Sequence, residues 1–462
     1  MKRYFHTRLT LVATILLMVA ASACVEPLNT VDLTKDPDAI VLPIRILLPA
    51  NAIPTKTTGG DVLAETEESA LHDLQIWAFI HRDENSVEAK TEGAVAYMSI
   101  PFLSISDWTR VLDVEFRFPA YVKDALSKID FFILGNAESI GFNLSDPTLR
   151  TLNRGQIEAR AFGDGDGFGF GSALVQTVPD KGLPMSGYFN NDGKGYDISF
   201  LLQGLSSQQL LYIRDHDGEV YNDKSEAFIA LEFTKEQISY IKSHCLDADN
   251  KWNWSAICLS FQIFRAVSKV HFMFSKVVDF PQETEITRIE LTSIPEATYV
   301  FSMDGDVVTV PEQTYDSFSW GSATAPLLNN ADMAEVDNPL RLRADSTIPT
   351  YGQEKAPGSM TAQEYEDFLK GEIALGHATR KTLYLRESDK PLQGKIYYKL
   401  KPEGGTQAEV KEATFNLTSL ASSFPRNTTW NVYAYFVNYG LHVHVNVNDW
   451  SATSDNGHHL KK

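Results

Sequence analysis

The sequence predicts an all-β protein with a few short helices, built as two antiparallel β-sandwich domains in tandem, and three observations predict it. Short apolar runs rich in aromatic and branched residues recur along the chain, separated by turns of glycine, asparagine and proline. Helical spacing is confined to a few short stretches. Crossing helices regular enough for a parallel sheet are missing, and no repeat of roughly 20 to 50 residues is evident.

Met1 to Ala23 has a basic start (Lys2, Arg3, Arg8) and an apolar stretch from Leu9 to Ala20, the make-up of a secretory signal. Ala21, Ser22 and Ala23 stand directly before Cys24. Small residues before a cysteine resemble the lipobox of bacterial lipoproteins, in which the cysteine is diacylated and becomes the mature N-terminus. Acyl chains contribute about 0.8 kcal/mol per buried methylene, so a multiply acylated Cys24 would hold the chain on a membrane without a spanning helix. Residues 24–39 are mostly polar, with Pro27 and Pro37, and read as a tether.

The first domain is expected over residues 40–303. Leu42, Ile44, Ile46 and Leu48 share one face of an alternating strand, and Pro43, which cannot donate to a ladder, places that strand at an edge or at the start of a pairing. Pro49, Asn51, Pro54, Lys56, Thr57, Thr58, Gly59 and Gly60 follow as a loop in which Lys56 is the one basic residue. A buried strand joined to the body by a cleavable loop is suited to being removed; an ordinary first strand with an ordinary loop reads the same way. Leu71 to Ile80, Val111 to Phe118 and Phe131 to Leu134 read as strands, and Ser145 to Phe162 as a short helix. Strands are expected again at Leu210 to Ile213, Ala227 to Phe233, Ile257 to Ile263, Val270 to Phe274 and Ile286 to Ile294, with a helix at Thr234 to His244.

Gly305 to Arg341 is polar and turn-rich, which places a boundary near Met303 and a second domain over residues 304–452. Its expected strands are Lys381 to Leu385, Gly394 to Leu400, Ala413 to Leu417, Trp430 to Val437 and Leu441 to Trp450, with a helix at Thr361 to Leu369. Residues 453–462 form a polar tail.

Removing the signal's three positive charges takes the formal net charge from −19 to −22, an acidic balance that argues against nucleic acid as a partner. No later segment offers about 18 consecutive apolar residues. Cys245 and Cys258 could form one disulfide in an exported chain. Asp164 and Asp166 before Gly167 lack the further ligands of a calcium loop, and Asn190 to Gly193 and Asp215 to Gly218 read as hairpin turns. His442 and His444 share a face of the last strand and could reach one metal, but a polar outer face is the plainer account, and no metal or cofactor is expected. Gly-x-Ser-x-Gly, a phosphate loop, a dinucleotide fingerprint and His-Glu-x-x-His are absent, so the expectation is a protein that is not an enzyme.

Several pieces then line up in one order: the lipobox at Cys24, the strand and loop to Gly60, Leu74 to Ile80, Phe131 to Asn136, Leu183-Pro184-Met185-Ser186-Gly187, Phe264-Arg265-Ala266-Val267-Ser268-Lys269-Val270, and Pro425-Arg426-Asn427 before the last two strands. This order resembles the fimbrillin (major fimbrial subunit) family of Bacteroidales, the subunits of type V pili. The resemblance implies tandem transthyretin-like sandwiches, export as a palmitoylated lipoprotein, and a place in the outer membrane and the fimbrium. It implies that a trypsin-like surface protease cuts the loop, here between Lys56 and Thr57. The strand carrying Leu42, Ile44, Ile46 and Leu48 then leaves, and a strand from another pilus subunit replaces it, in a fibre that serves cell adhesion to surface glycans or proteins. Stalk members are commonly cut after arginine, whereas this loop offers lysine. The last strand, with Leu441, Val443, Val445 and Val447, is either a core strand or the donated one. The alternatives are an uncleaved pilus anchor and a monomeric surface lipoprotein that binds glycans through Trp252, Trp254, Trp320 or tyrosines.

Overall fold

Alternating side chains give a strand one buried and one outer face, and the chain stacks such strands as two pairs of facing sheets. The structure, a computed structural model, describes residues 39–49, 68–82, 86–103, 111–119, 128–163, 174–198, 205, 206, 208, 209, 212, 230–244, 259–277, 279–302, 310, 314–336, 379–391, 393–402, 405, 408–416, 423–437 and 440–449. Cys24, Lys56, Thr57, Cys245, Cys258, Trp252, Trp254, the Asp164 and Asp215 turns and the Thr361 helix lie outside the described residues.

In the first pair, a three-stranded sheet has β1 (Ile40–Leu47) between β4 (Val111–Phe118) and β10 (Ser260–Gln262). Its partner sheet runs β11 (Phe264–Arg265), β8 (Met185–Phe189), β5 (Lys128–Gly135), β2 (Leu74–Ile80), β3 (Ala96–Ile100), with β9 (Tyr196–Asp197) also on β5. Ile40, Leu42, Ile44, Ile46, Leu48, Phe116, Phe118, Phe131, Ile133 and Phe261 form the core between them. β2 reads as a nearly continuous apolar run because both of its faces are buried: Ile76 and Ala78 face this core, while Trp77 and Phe79 pack into another under the short helices.

In the second pair, one sheet runs β21 (Gly440–Asp449), β20 (Thr428–Val437), β12 (Val267–Val277), β17 (Thr379–Arg386), β7 (Leu174–Val175), with β16 (Ala334–Val336) on β12. The facing sheet runs β15 (Tyr315–Gly321), β13 (Gln282–Pro295), β18 (Gln393–Pro402), β19 (Glu409–Asn416). Trp430, Phe272, Ile289, Ile396 and Phe436 lie in the core they enclose. A ribbon of β6 (Ala161–Gly163) and β14 (Ala297–Tyr299) lies beside these sheets. The short helices are α1 (Val87–Thr91), α2 (Arg154–Glu158) and α3 (Lys235–His244).

The architecture is all-β as expected, and most pairings are antiparallel; β1 with β10, β12 with β20 and β12 with β16 run parallel. The sheets do not divide at Met303. β12 and β13 precede that residue yet pair with β17, β20 and β18 far downstream, and β7, further upstream still, pairs with β17 in the same sheet. The turn-rich stretch from Gly305 to Arg341 contributes β15 and β16.

Four local expectations are corrected. Ser145 to Phe162 holds a 3-10 turn (Pro147–Thr151) and then α2, because Asn153 opens a new capping box with Gln156. The described residues of the two strands expected before α3, Tyr212 and 230–233, are helical, in a turn or irregular. Ser206 and Gln209 bond reciprocally to each other's backbone N–H, a helix start hidden beside an apolar run of ambiguous period. Asn190 to Gly193 is no hairpin either. The chain leaves β5 at Phe189 and rejoins the same strand at Tyr196, passing through Asn191, Asp192 and Gly193 at positive φ.

Candidate strand-acceptor groove

Leu42, Ile44 and Ile46 are fully buried and Leu48 nearly so, in a trough whose floor is the facing sheet and whose walls are β4 and β10. β1 pairs with β4 along its whole length, from Ile40 opposite Phe118 to Leu47 opposite Val111. Its pairing with β10 is shorter, from Arg45 opposite Ser260 to Leu47 opposite Gln262. Arg45 N–H donates to Leu259 O at 2.9 Å and Leu47 O accepts from Ile263 at 3.1 Å, so odd-numbered residues turn their backbone groups toward β10. Pro43 belongs to that set. Its missing N–H falls just before the described β10 pairing begins, which is how a proline is tolerated in a strand otherwise held on both sides. On the outer face Arg45 makes a bidentate pair with Asp113, the residue opposite it on β4, with both N–H to O distances 3.0 Å.

The two ends of the stretch between β1 and β2 meet. Ser69 Oγ donates to Pro49 O at 3.2 Å, and Arg265 Nη2 donates to Ser69 Oγ at 2.7 Å while its Nε donates to Glu68 O at 3.1 Å. The Glu68 carboxylate accepts from Lys269 Nζ at 2.8 Å and from Tyr384 OH at 2.6 Å. All of these side chains are buried. Burial pushes the Glu68 carboxyl up, but Lys269 and Arg265 outweigh it and hold the group below the ordinary glutamate value. Burial also raises the Tyr384 hydroxyl, and the Glu68 charge adds to that. Chain entering after residue 67 is therefore pinned by groups on β11, β12 and β17, independently of β1.

Two further contacts extend the pin. Asn136, at a φ of 58°, receives His72 N–H on Oδ1 at 2.8 Å and donates Nδ2 to Ala70 O and Leu183 O. Asp73 accepts from the backbone N–H groups of Ala137 and Glu138. Burial raises the Asp73 carboxyl to about 6 against the pull of those two donors. Among the described motifs of the sequence resemblance, Asn136, Leu183–Gly187, Phe264–Val270 and Pro425–Asn427 thus converge on one junction. Ala266 N–H donates to Pro184 O, Asn427 N–H to Val267 O, and Arg426 to Val300 O and Tyr299 O while paired with Glu387 and reaching Ser186 Oγ. Glu68, Ser69, Asp73, Asp113, Tyr384 and Glu387 were not marked by the sequence. An acid beside an apolar run, as at Glu68 and Asp73, is the signal that was available.

No family model matches the chain, and no curated protein matches it. Solved structures of fimbrial and cell-adhesion proteins are similar to it. A protein assigned to cell adhesion from Parabacteroides distasonis is 11% identical with a TM-score of 0.44, over 91% of this chain and 100% of that one. The tip fimbrial protein Mfa3 of Porphyromonas gingivalis is 11% identical with a TM-score of 0.35, over 88% and 100%. The fimbrial anchor protein Mfa2 of the same organism is 9% identical with a TM-score of 0.32, over 89% and 98%.

The last strand, β21, lies at the end of its sheet, paired with β20 from Gly440 opposite Val437 to Asp449 opposite Thr428. Leu441 is buried in the second core and Val443 packs against it; Val445 and Val447 stand opposite Val432 and Trp430 in the ladder. His444 and His442 stand opposite Tyr433 and Tyr435, and among the described residues no group of three potential ligands is placed to hold a metal. Trp320 packs against the second core. Among the described residues no helix is long and apolar enough to cross a membrane.

Proposed function

We propose that the chain is a pilus (fimbria) subunit, exported as a lipoprotein on Cys24, that assembles when its first strand is removed by a trypsin-like protease at Lys56–Thr57 and replaced by a strand from another subunit. In this reading it is a structural and adhesive protein and not an enzyme, sited at the outer membrane and in the fimbrium. The observation that carries the reading is the independence of β1 from the chain that resumes at Glu68. β1 fills a groove whose walls and floor come from other segments, and Glu68 sits under its own buried anchor. Loss of β1 would leave that anchor intact and an apolar trough open along two strand edges, which is the receptor for an added strand. Burying Leu42, Ile44, Ile46 and Leu48 is worth on the order of 6 to 12 kcal/mol, at about 1.5 to 3 kcal/mol each, so an empty groove is a strong acceptor and needs no chemical energy source.

Leu441, Val443, Val445 and Val447 already form a docked ladder strand, and we read β21 as a core strand and not the donated one. This favours a tip or accessory subunit that accepts a strand. The uncleaved anchor is the second reading, and it rests on Lys56 being the one basic residue between β1 and the Glu68 anchor. The N-terminal sequence and mass of the surface protein, with and without trypsin treatment of the precursor, test both. A new terminus at Thr57 with loss of the preceding segment is expected. A chain that always begins at an acylated Cys24 and resists trypsin would overturn strand removal and leave the anchor or a monomeric glycan-binding lipoprotein.

A further inference from the structure

The pockets of the groove specify alternation but not position along it. Ile40, Leu42, Ile44, Ile46 and Leu48 are near-equivalent aliphatic residues in a row. A slip of one residue would turn all of them outward, whereas a slip of two would seat each in its neighbour's pocket. Something outside the pockets has to separate these registers. The outer face of β4 carries Asp113 and Glu115, both exposed, and Arg117. Glu115 faces Pro43 and takes a hydrogen bond from Arg117 of its own strand at 3.4 Å. Asp113 faces Arg45 and takes two hydrogen bonds from it across the ladder. A two-residue slip in one direction sets the arginine against Val111; in the other it sets it against Glu115, in competition with Arg117.

We propose that Asp113 sets the register of the strand in the groove, and that the occupant which replaces β1 is a segment of a second, different protein with aliphatic residues at five alternate positions and an arginine between the third and the fourth. The proposal rests on the strand-exchange reading. Charge complementarity selects the occupant: the residues of β21 that alternate with Leu441, Val443, Val445 and Val447 are His442, His444, Asn446 and Asn448, none of which offers the two parallel N–H donors of a guanidinium. A second copy of this chain is accordingly the disfavoured donor.

The test uses the full-length chain with a site for a sequence-specific protease inserted within residues 50–67, cut and then offered labelled peptides. One peptide copies residues 39–49, one carries Arg45→Glu, one has the arginine moved by two positions, and one copies residues 440–449. The native peptide should bind about five- to tenfold more tightly than the Arg45→Glu peptide, with the preference shrinking at high salt, and Asp113→Lys should reverse it. Asp113 is exposed, so the variant should fold; Asp113→Asn, which removes the charge alone, should abolish the preference without reversing it. Equal binding of the native, Arg45→Glu and shifted peptides would overturn the register role and leave strand exchange standing. Tightest binding of the 440–449 peptide would overturn the choice of partner in favour of a second copy. Failure of every peptide to bind any of the three cut chains would overturn both this inference and the function it rests on.

Discussion

At the scale of single residues, Glu68 decides most. Its carboxylate sits between Lys269 and Tyr384, and the Lys269 side chain is itself 7% exposed. Glu68→Ala would take the carboxylate away from that buried ammonium, a change that costs about 3 to 5 kcal/mol, measurable by urea unfolding. Replacing the pair together, Glu68→Leu with Lys269→Met, should cost less, because the ammonium leaves with its carboxylate; the cost that remains is at the buried Arg265 guanidinium, which also loses the Glu68 charge. The pH dependence has a definite sign. The folded-state value of Glu68 is depressed, so its contribution is complete above the ordinary glutamate value and is lost as the pH falls through the lower, folded one. Asp73 behaves oppositely: with its value raised to about 6, its contribution is complete below the ordinary aspartate value and lost as the pH rises through about 6. Carboxyl NMR should show Asp73 titrating near pH 6, with the amide shifts of Ala137 and Glu138 tracking it; a midpoint near 4 would refute the assignment.

At the scale of elements, alternation was the readable signal. β1 and β4 bury the residues that their period of two marks, and the Thr234 start of α3 is a capping box with Gln237. Ile44→Ala should therefore destabilise the uncut chain by about 2 to 5 kcal/mol, while Leu47→Ala on the half-exposed face should cost far less; chemical denaturation of the two variants compares them. Other features were not legible, each for a physical reason. A short apolar run such as Leu210 to Ile213 fits a strand or a buried helix equally well, and only the Ser206 and Gln209 side chains decide it. Parallel partners such as β1 and β10 are more than two hundred residues apart, and no local pattern records them. The two register shifts in β13, at Ile286/Arg288 and Leu291/Ile294, break its alternation, so its length was underestimated.

At the scale of the whole molecule, the pair of sheets that holds β1 and the second pair of sheets share one polar junction. Arg426 on the approach to β20 bonds to Val300 O, Tyr299 O and Glu387, and reaches Ser186 on β8. The core beneath it mixes Phe132 and Leu134 of β5 with Val267 of β12, Phe301 and Tyr384 of β17. Two sandwiches joined this way should melt together. Arg426→Met should turn one calorimetric transition into two by removing the guanidinium that bridges them; a single unshifted transition would show that the apolar core alone couples the sandwiches. The motif Pro425-Arg426-Asn427 was visible in the sequence, but its role was not, because the carbonyls of Tyr299 and Val300 that Arg426 binds lie more than a hundred residues away.

The meeting of Pro49 with Ser69 has a consequence for when, under the proposed strand exchange, β1 could be replaced. While the chain between them is intact, β1 is presented to its own groove at an effective concentration in the millimolar range or above, and a rival strand present at about nanomolar levels is at a disadvantage of roughly a millionfold. At about 1.4 kcal/mol per tenfold, that handicap is roughly 8 kcal/mol, as large as the burial that holds the strand in place. Hydrolysis of one peptide bond between them would remove it without altering a single contact in the groove, and would make β1 and any replacing strand competitors on equal terms.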